Sequence, residues 1–76
     1  MSTTKLSVPD ISCAHCERTV LATLSPIAGV SRVSVDIPAH IVTVDYDADR
    51  VSVGQLSDAL AAEAYPVAAA EMVAAS

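Results

Sequence analysis

Lys5-Leu6-Ser7-Val8-Pro9-Asp10-Ile11-Ser12-Cys13-Ala14-His15-Cys16 begins on one hydrophobic period and ends on another. Leu6 and Val8 alternate with polar neighbours, the period of two that turns one face of a strand inward. Pro9 has no N–H to give to a sheet ladder and suits the strand's end. Residues 10–15 read as a loop. From about Cys16 the spacing changes, and Cys16, Val20 and Leu24 recur at every fourth position as one stripe of a helix. Glu17, Arg18 and Thr19 fall off that stripe, toward water. The only two cysteines of the chain sit at this strand-to-helix junction, separated by two residues.

Reading outward from the junction, Pro26 cannot continue the helix and Gly29 supplies a turn. Val30 to Ile37 alternates again, with Val33, Val35 and Ile37 inward. Pro38-Ala39-His40 is a turn, and Ile41 to Tyr46 is a strand with Val42, Val44 and Tyr46 on one face. Two such runs with a short connection form a hairpin. After the charged loop Asp47-Ala48-Asp49-Arg50, Ser52-Val53-Gly54-Gln55 matches a capping box, in which Ser and Gln satisfy each other's orphan amides. Leu56, Ala59 and Leu60 then face inward on a second helix that Tyr65-Pro66 ends. Val67 to Ala70 is the last strand, and the Ala-rich tail Met72 to Ser76 carries too little pattern to assign.

The order is β-α-β-β-α-β. It predicts an α/β (α+β) fold of the ferredoxin-like type, an open-faced sandwich with a four-stranded antiparallel sheet and two helices on one face. One domain over residues 1–76, with its core at about 5–70, follows from a length of 76 residues. That order also brings three connections to the same end of the sheet: the cysteine loop, the hairpin turn with His40, and the last loop with Tyr65.

Composition narrows the function. With no Trp or Phe and two Tyr, the core is built from Val, Leu, Ile and Ala. A net charge of −5 with only Lys5, Arg18, Arg32 and Arg50 as cations argues against nucleic acid and anionic membrane, and for a partner with a basic patch. No apolar run nears the roughly 20 residues needed to span a bilayer. The segment Met1 to Lys5 lacks the features of a secretory signal, so the expectation is a cytoplasmic chain with reduced thiols.

A helix N-terminus leaves its first amides unpaired and carries the positive end of the macrodipole, and both favour thiolate. Soft thiolates select Cu(I) or zinc over harder cations. Three uses remain open on these grounds: carriage of a soft metal, thiol–disulfide exchange, or half of a structural zinc site. The bland reading, two small buried hydrophobes, fits poorly with a loop between Asp10 and His15. A closed zinc site wants four ligands. The extra candidates are His15, His40 and Asp10, with no second CxxC, which disfavours it. Two thiolates suit Cu(I), which tolerates linear coordination and stays open to an incoming thiolate. Oxidoreductase chemistry is the enzymatic rival, since a nearby His⁺ acidifies a thiol. The element order, the short chain and the missing aromatic before the motif stand against it.

Asp10-Ile11-Ser12-Cys13-Ala14-His15-Cys16, after a short strand and before an amphipathic helix, resembles the GMTCxxC loop of the heavy-metal-associated domain family. Gly29-Val30, the hairpin, Asp47-Ala48-Asp49 and Ala64-Tyr65-Pro66-Val67 fall where that family has its GV, its DP-like loop and its GY. The likeness covers roughly residues 5–70 and is strongest to the family's bacterial copper chaperones.

The resemblance implies a Cu(I) carrier, not an enzyme, with Cys13 and Cys16 as ligands. It implies docking on the matching domain of a copper-transporting P-type ATPase, with a copper-bridged homodimer as an open second mode. It also places Tyr65 as a shield beside the metal. His15 stands open between a solvated side chain and a group that tunes the site or ligates a second copper in a dimer. His40 reads as a hairpin residue.

The departures are specific. Ile11 replaces a Met that packs inward, Asp10 replaces Gly, and Ala64 replaces the Gly before Tyr, which predicts that the second helix ends without a left-handed residue. Ser12, not an acidic residue, precedes Cys13, which leans toward copper over a zinc or cadmium carrier of the same fold.

Overall fold

The computed structural model describes residues 2–11 and 14–73. In chain order they form β1 (Ser2–Ser7), α1 (Ala14–Leu24), β2 (Val30–Asp36), β3 (Ile41–Tyr46), α2 (Val53–Ala62) and β4 (Ala69–Val73). The strands make one sheet in the order β2-β3-β1-β4, with every neighbouring pair antiparallel. This is the ferredoxin-like βαββαβ sandwich that the order of elements predicts.

The alternating strands send Leu6, Val42, Val44 and Tyr46 to the inner face, where all are buried. The helices cover that face and contribute Cys16, Val20 and Leu24 from α1 and Leu56 and Leu60 from α2. Val33 and Val35 are only half-buried, as suits an edge strand with a neighbour on one side. Thr4 is the buried polar residue of the described core, and its hydroxyl donates to the Glu71 carbonyl at 3.0 Å. That bond removes the penalty of an unpaired hydroxyl in an apolar setting.

Two strand positions differ from the sequence reading. β1 spans Ser2–Ser7, not Lys5–Pro9: Val8 N–H still donates to the facing His40 carbonyl at 2.9 Å, but His40 N–H turns into the hairpin, to the Ile37 carbonyl at 3.1 Å, and the ladder ends there. Its first half escapes hydropathy because the inward position there is the polar Thr4. β4 lies at Ala69–Val73, not at Val67–Ala70, so Met72 and Val73 belong to the sheet and not to a tail. An alanine run has no alternation to mark its place; pairing with β1, from Ser7↔Ala69 to Thr3↔Val73, decides it. Residues 74–76 of the expected tail lie outside the described residues.

Gly29 is required by its conformation and by space. It holds φ at +97°, and a Cβ there would meet the Arg50 Cβ at 2.8 Å. Its carbonyl accepts the Asp47 N–H at 2.7 Å, joining the turn after α1 to the loop after β3.

The expected capping box opens α2. Ser52 Oγ accepts the Gln55 N–H at 3.3 Å, and Gln55 Oε1 accepts the Ser52 N–H at 3.0 Å. The other end of α2 corrects the expectation for Ala64, which adopts the left-handed conformation at φ +66°. Tyr65 N–H donates to the Leu60 carbonyl at 2.9 Å and Ala64 N–H to the Ala61 carbonyl at 3.1 Å. These are the two bonds of a Schellman motif, which demands a left-handed residue between helix end and exit whether or not a glycine supplies it.

Candidate metal centre

Ser7 pairs with Ile41 and with Ala69, and Ile41 with Asp36, so four strand ends line up across one end of the sheet. The loop after β1, the turn at 37–40 and the loop from α2 to β4 therefore meet there, as predicted. Two backbone bonds stitch them together: Val8 N–H to the His40 carbonyl at 2.9 Å, and Ala68 N–H to the Ser7 carbonyl at 2.8 Å.

α1 starts at Ala14, two residues before the position read from the apolar stripe, so His15 is in the first helical turn. Alanine is the best helix former and extends the helix back toward the loop. Cys16 begins the buried stripe and is 8% exposed, at the rim of the core cluster. Its thiol donates to the Asp10 carbonyl at 3.8 Å. Binding a metal would replace the thiol proton and this contact with it. Cys13 and Ser12 lie outside the described residues. Asp10, Ala14 and His15, on either side of them, are exposed.

Ile11 is fully buried and takes the inward, tethering place expected of it. Its N–H donates to the Val8 carbonyl at 3.2 Å, closing residues 8–11 into a turn. Its carbonyl meets His40 Nδ1 at 2.6 Å. This bond is what reading the sequence missed about His40. Its partners are separated by 29 positions, and no local pattern announces such a link. His40 also has φ +56°, a left-handed backbone that closes the hairpin.

Tyr65 is half-buried and packs on the core cluster at the same end of the sheet. His15 is exposed. Among the described residues, no three His, Cys, Asp or Glu side chains converge as a ready-made metal cage. Asp47 organises the charged loop that it opens: Oδ1 accepts the Asp49 N–H at 3.0 Å and Oδ2 faces Arg50 at 3.6 Å. That ion pair is exposed and contributes little to stability.

A ferredoxin-like plait with a CxxC that ends in the first turn of its first helix defines a class of small metal-binding domain. Residues 5–66 match the heavy-metal-associated domain, and the chain belongs to that family. It is 41% identical over 63 residues to the copper chaperone CopZ of Bacillus subtilis (strain 168), covering 83% of this chain and 91% of that one. Among solved structures, a CopZ metallochaperone superposes with a TM-score of 0.84 at 36% identity, over 87% of this chain and 98% of the other. Oxidized MerP from Ralstonia metallidurans CH34 superposes with a TM-score of 0.82, also at 36% identity, over 87% and 92%. The family binds metals without turning over a substrate, and the chain is not an enzyme. No helix among the described residues is long and apolar enough to cross a membrane.

Proposed function

We propose that this protein is a cytoplasmic copper chaperone that binds Cu(I) through Cys13 and Cys16 and passes it to the metal-binding domain of a copper-transporting P-type ATPase. The observation that carries the reading is the place of Cys16 at the first turn of α1, at the end of the sheet where three loops meet. The 41% identity to a copper chaperone supports copper as the cargo. Two thiolates leave the ion coordinatively open. An acceptor thiolate adds to give a three-coordinate ion, one donor thiolate leaves, and the exchange repeats. No redox change is needed, and the protons that leave the acceptor thiols are balanced by those the donor thiols regain.

Exposed Asp10 ahead of the ligands, and exposed Ala14 and His15 between them, suit entry of the acceptor. The near-buried Cys16 suits the role of an anchoring ligand, released last. Tyr65 stands at the same end of the sheet to limit water access. A copper-bridged homodimer through the same open thiolates would double the mass on loading, which sedimentation with and without Cu(I) reads.

Anaerobic competition with chelators of known strength, run with Cu(I) and with Zn(II), tests the assignment. Cu(I) is expected to be held far more tightly. Preference for Zn(II) would make the protein a zinc or cadmium carrier of the same fold. Cys13→Ser and Cys16→Ser should each weaken Cu(I) binding by more than the roughly 10–100-fold that losing a supporting hydrogen bond costs. Full affinity in either variant refutes the ligand set.

A further inference from the structure

His40 holds an uncommon backbone conformation. It closes the hairpin at φ +56°, a conformation that glycine or asparagine holds with less strain. It is an exposed residue, so burial does not hold its ring in place. Instead, its ring nitrogen Nδ1 lies 2.6 Å from the Ile11 carbonyl. A carbonyl only accepts, so Nδ1 carries the proton and donates, and the neutral ring is fixed as the Nδ1–H tautomer. The same residue's carbonyl accepts the Val8 N–H at 2.9 Å. His40 thus grips both ends of the turn 8–11, by its backbone at Val8 and by its ring at Ile11. The next residues in the chain are Ser12 and Cys13.

We propose that His40 is a positioning residue, a latch from the β2–β3 turn that fixes the Ile11 carbonyl and so presets the backbone from which the Cys13 loop departs. The proposal rests on the reading of that loop as the metal site. A loop ordered before binding loses less conformational freedom when it captures the ion, so it holds the ion longer. Strain at a turn persists where the surroundings gain from it, and the Ile11 bond is that gain. No contact between His40 and the metal is involved.

The test uses the whole protein with His40→Gly and His40→Asn, both of which fit a left-handed turn and lack the ring. In the metal-free wild type, long-range ¹⁵N–¹H correlation of the imidazole should show the Nδ1–H tautomer. In both variants, amide exchange at Ile11 should quicken about five- to tenfold, the worth of one hydrogen bond. Exchange at Val42 and Val44 should not change, and the metal-free melting temperature should stay within about 5 °C. Release of Cu(I) to a chelator should quicken by a similar five- to tenfold. An Nε2–H tautomer, unchanged exchange at Ile11, an equal rise at Val42 and Val44, or an unchanged release rate each overturns the latch. The tautomer and exchange readings need no metal. A protein that passes them but binds no Cu(I) refutes the proposed function and leaves the latch standing.

Discussion

At the scale of single residues, the strained positions carry the most information. Ala64 holds φ +66° with a Cβ, where the left-handed region costs an L-residue on the order of 1–2 kcal/mol. Ala64→Gly relieves that cost and gives back part of it through a more flexible unfolded chain. The net expectation is a gain of about 0.5–1 kcal/mol, read as a higher urea midpoint at unchanged slope. A midpoint that falls would mean the Schellman turn is not strained in solution. Replacing the expected glycine suggested a helix end without a left-handed residue, and the structure shows why that inference fails. The conformation is set by the bonds from Ala64 and Tyr65 back to Ala61 and Leu60, and the side chain only sets its cost. Cys16 shows the opposite case. Its place on a four-residue stripe with Val20 and Leu24 was legible in the sequence, and the structure adds that it is buried at the rim of the core.

At the scale of elements, α2 is the one whose start was written most plainly. Both reciprocal bonds of the capping box are present, and α2 contributes Leu56 and Leu60 to the core. Ser52→Ala removes the acceptor for the Gln55 amide and should cost about 1 kcal/mol. Thermal unfolding at matched concentration would register this as a fall of roughly 4–8 °C for a domain of this size. An unchanged melting temperature would show that Gln55 or water caps the helix alone. β4 stands at the other extreme. Ala69 and Ala70 could sit in any element, and the strand exists because β1 offers an unpaired edge along Thr3–Ser7. β1 was half legible, since Leu6 marks its inner face while Thr4, equally buried, has no apolar signature.

At the scale of the whole molecule, charge and topology meet in the proposed docking step. The chain carries a net charge of −5 with four cationic side chains. An acceptor domain with a basic face would be steered toward it, a rate effect that salt screens with a Debye length near 8 Å at physiological ionic strength. The rate of Cu(I) transfer to an ATPase metal-binding domain should therefore fall as salt rises, with little change in the release rate to a neutral chelator. Transfer indifferent to salt would remove electrostatics from the docking. Topology adds the arrangement of the site itself. The alignment of Asp36, Ile41, Ser7 and Ala69 gathers the loop after β1, His40 and the Tyr65 loop at one end, and the order of elements along the chain was enough to foresee it.

The sequence by itself determined the order of the elements, the inward faces of β3 and both helices, the cap of α2 and the station of the cysteine pair between strand and helix. These follow from period, capping chemistry and chain order, all of which are recorded within a few residues of one another. Tertiary structure alone decided the extent of β1 and β4, the left-handed Ala64 and the bond from His40 to Ile11. Each depends on a partner that is remote in the chain or on a backbone bond that no side chain declares. Pairing register and ring-to-carbonyl contacts exist only once the sheet has brought distant segments together.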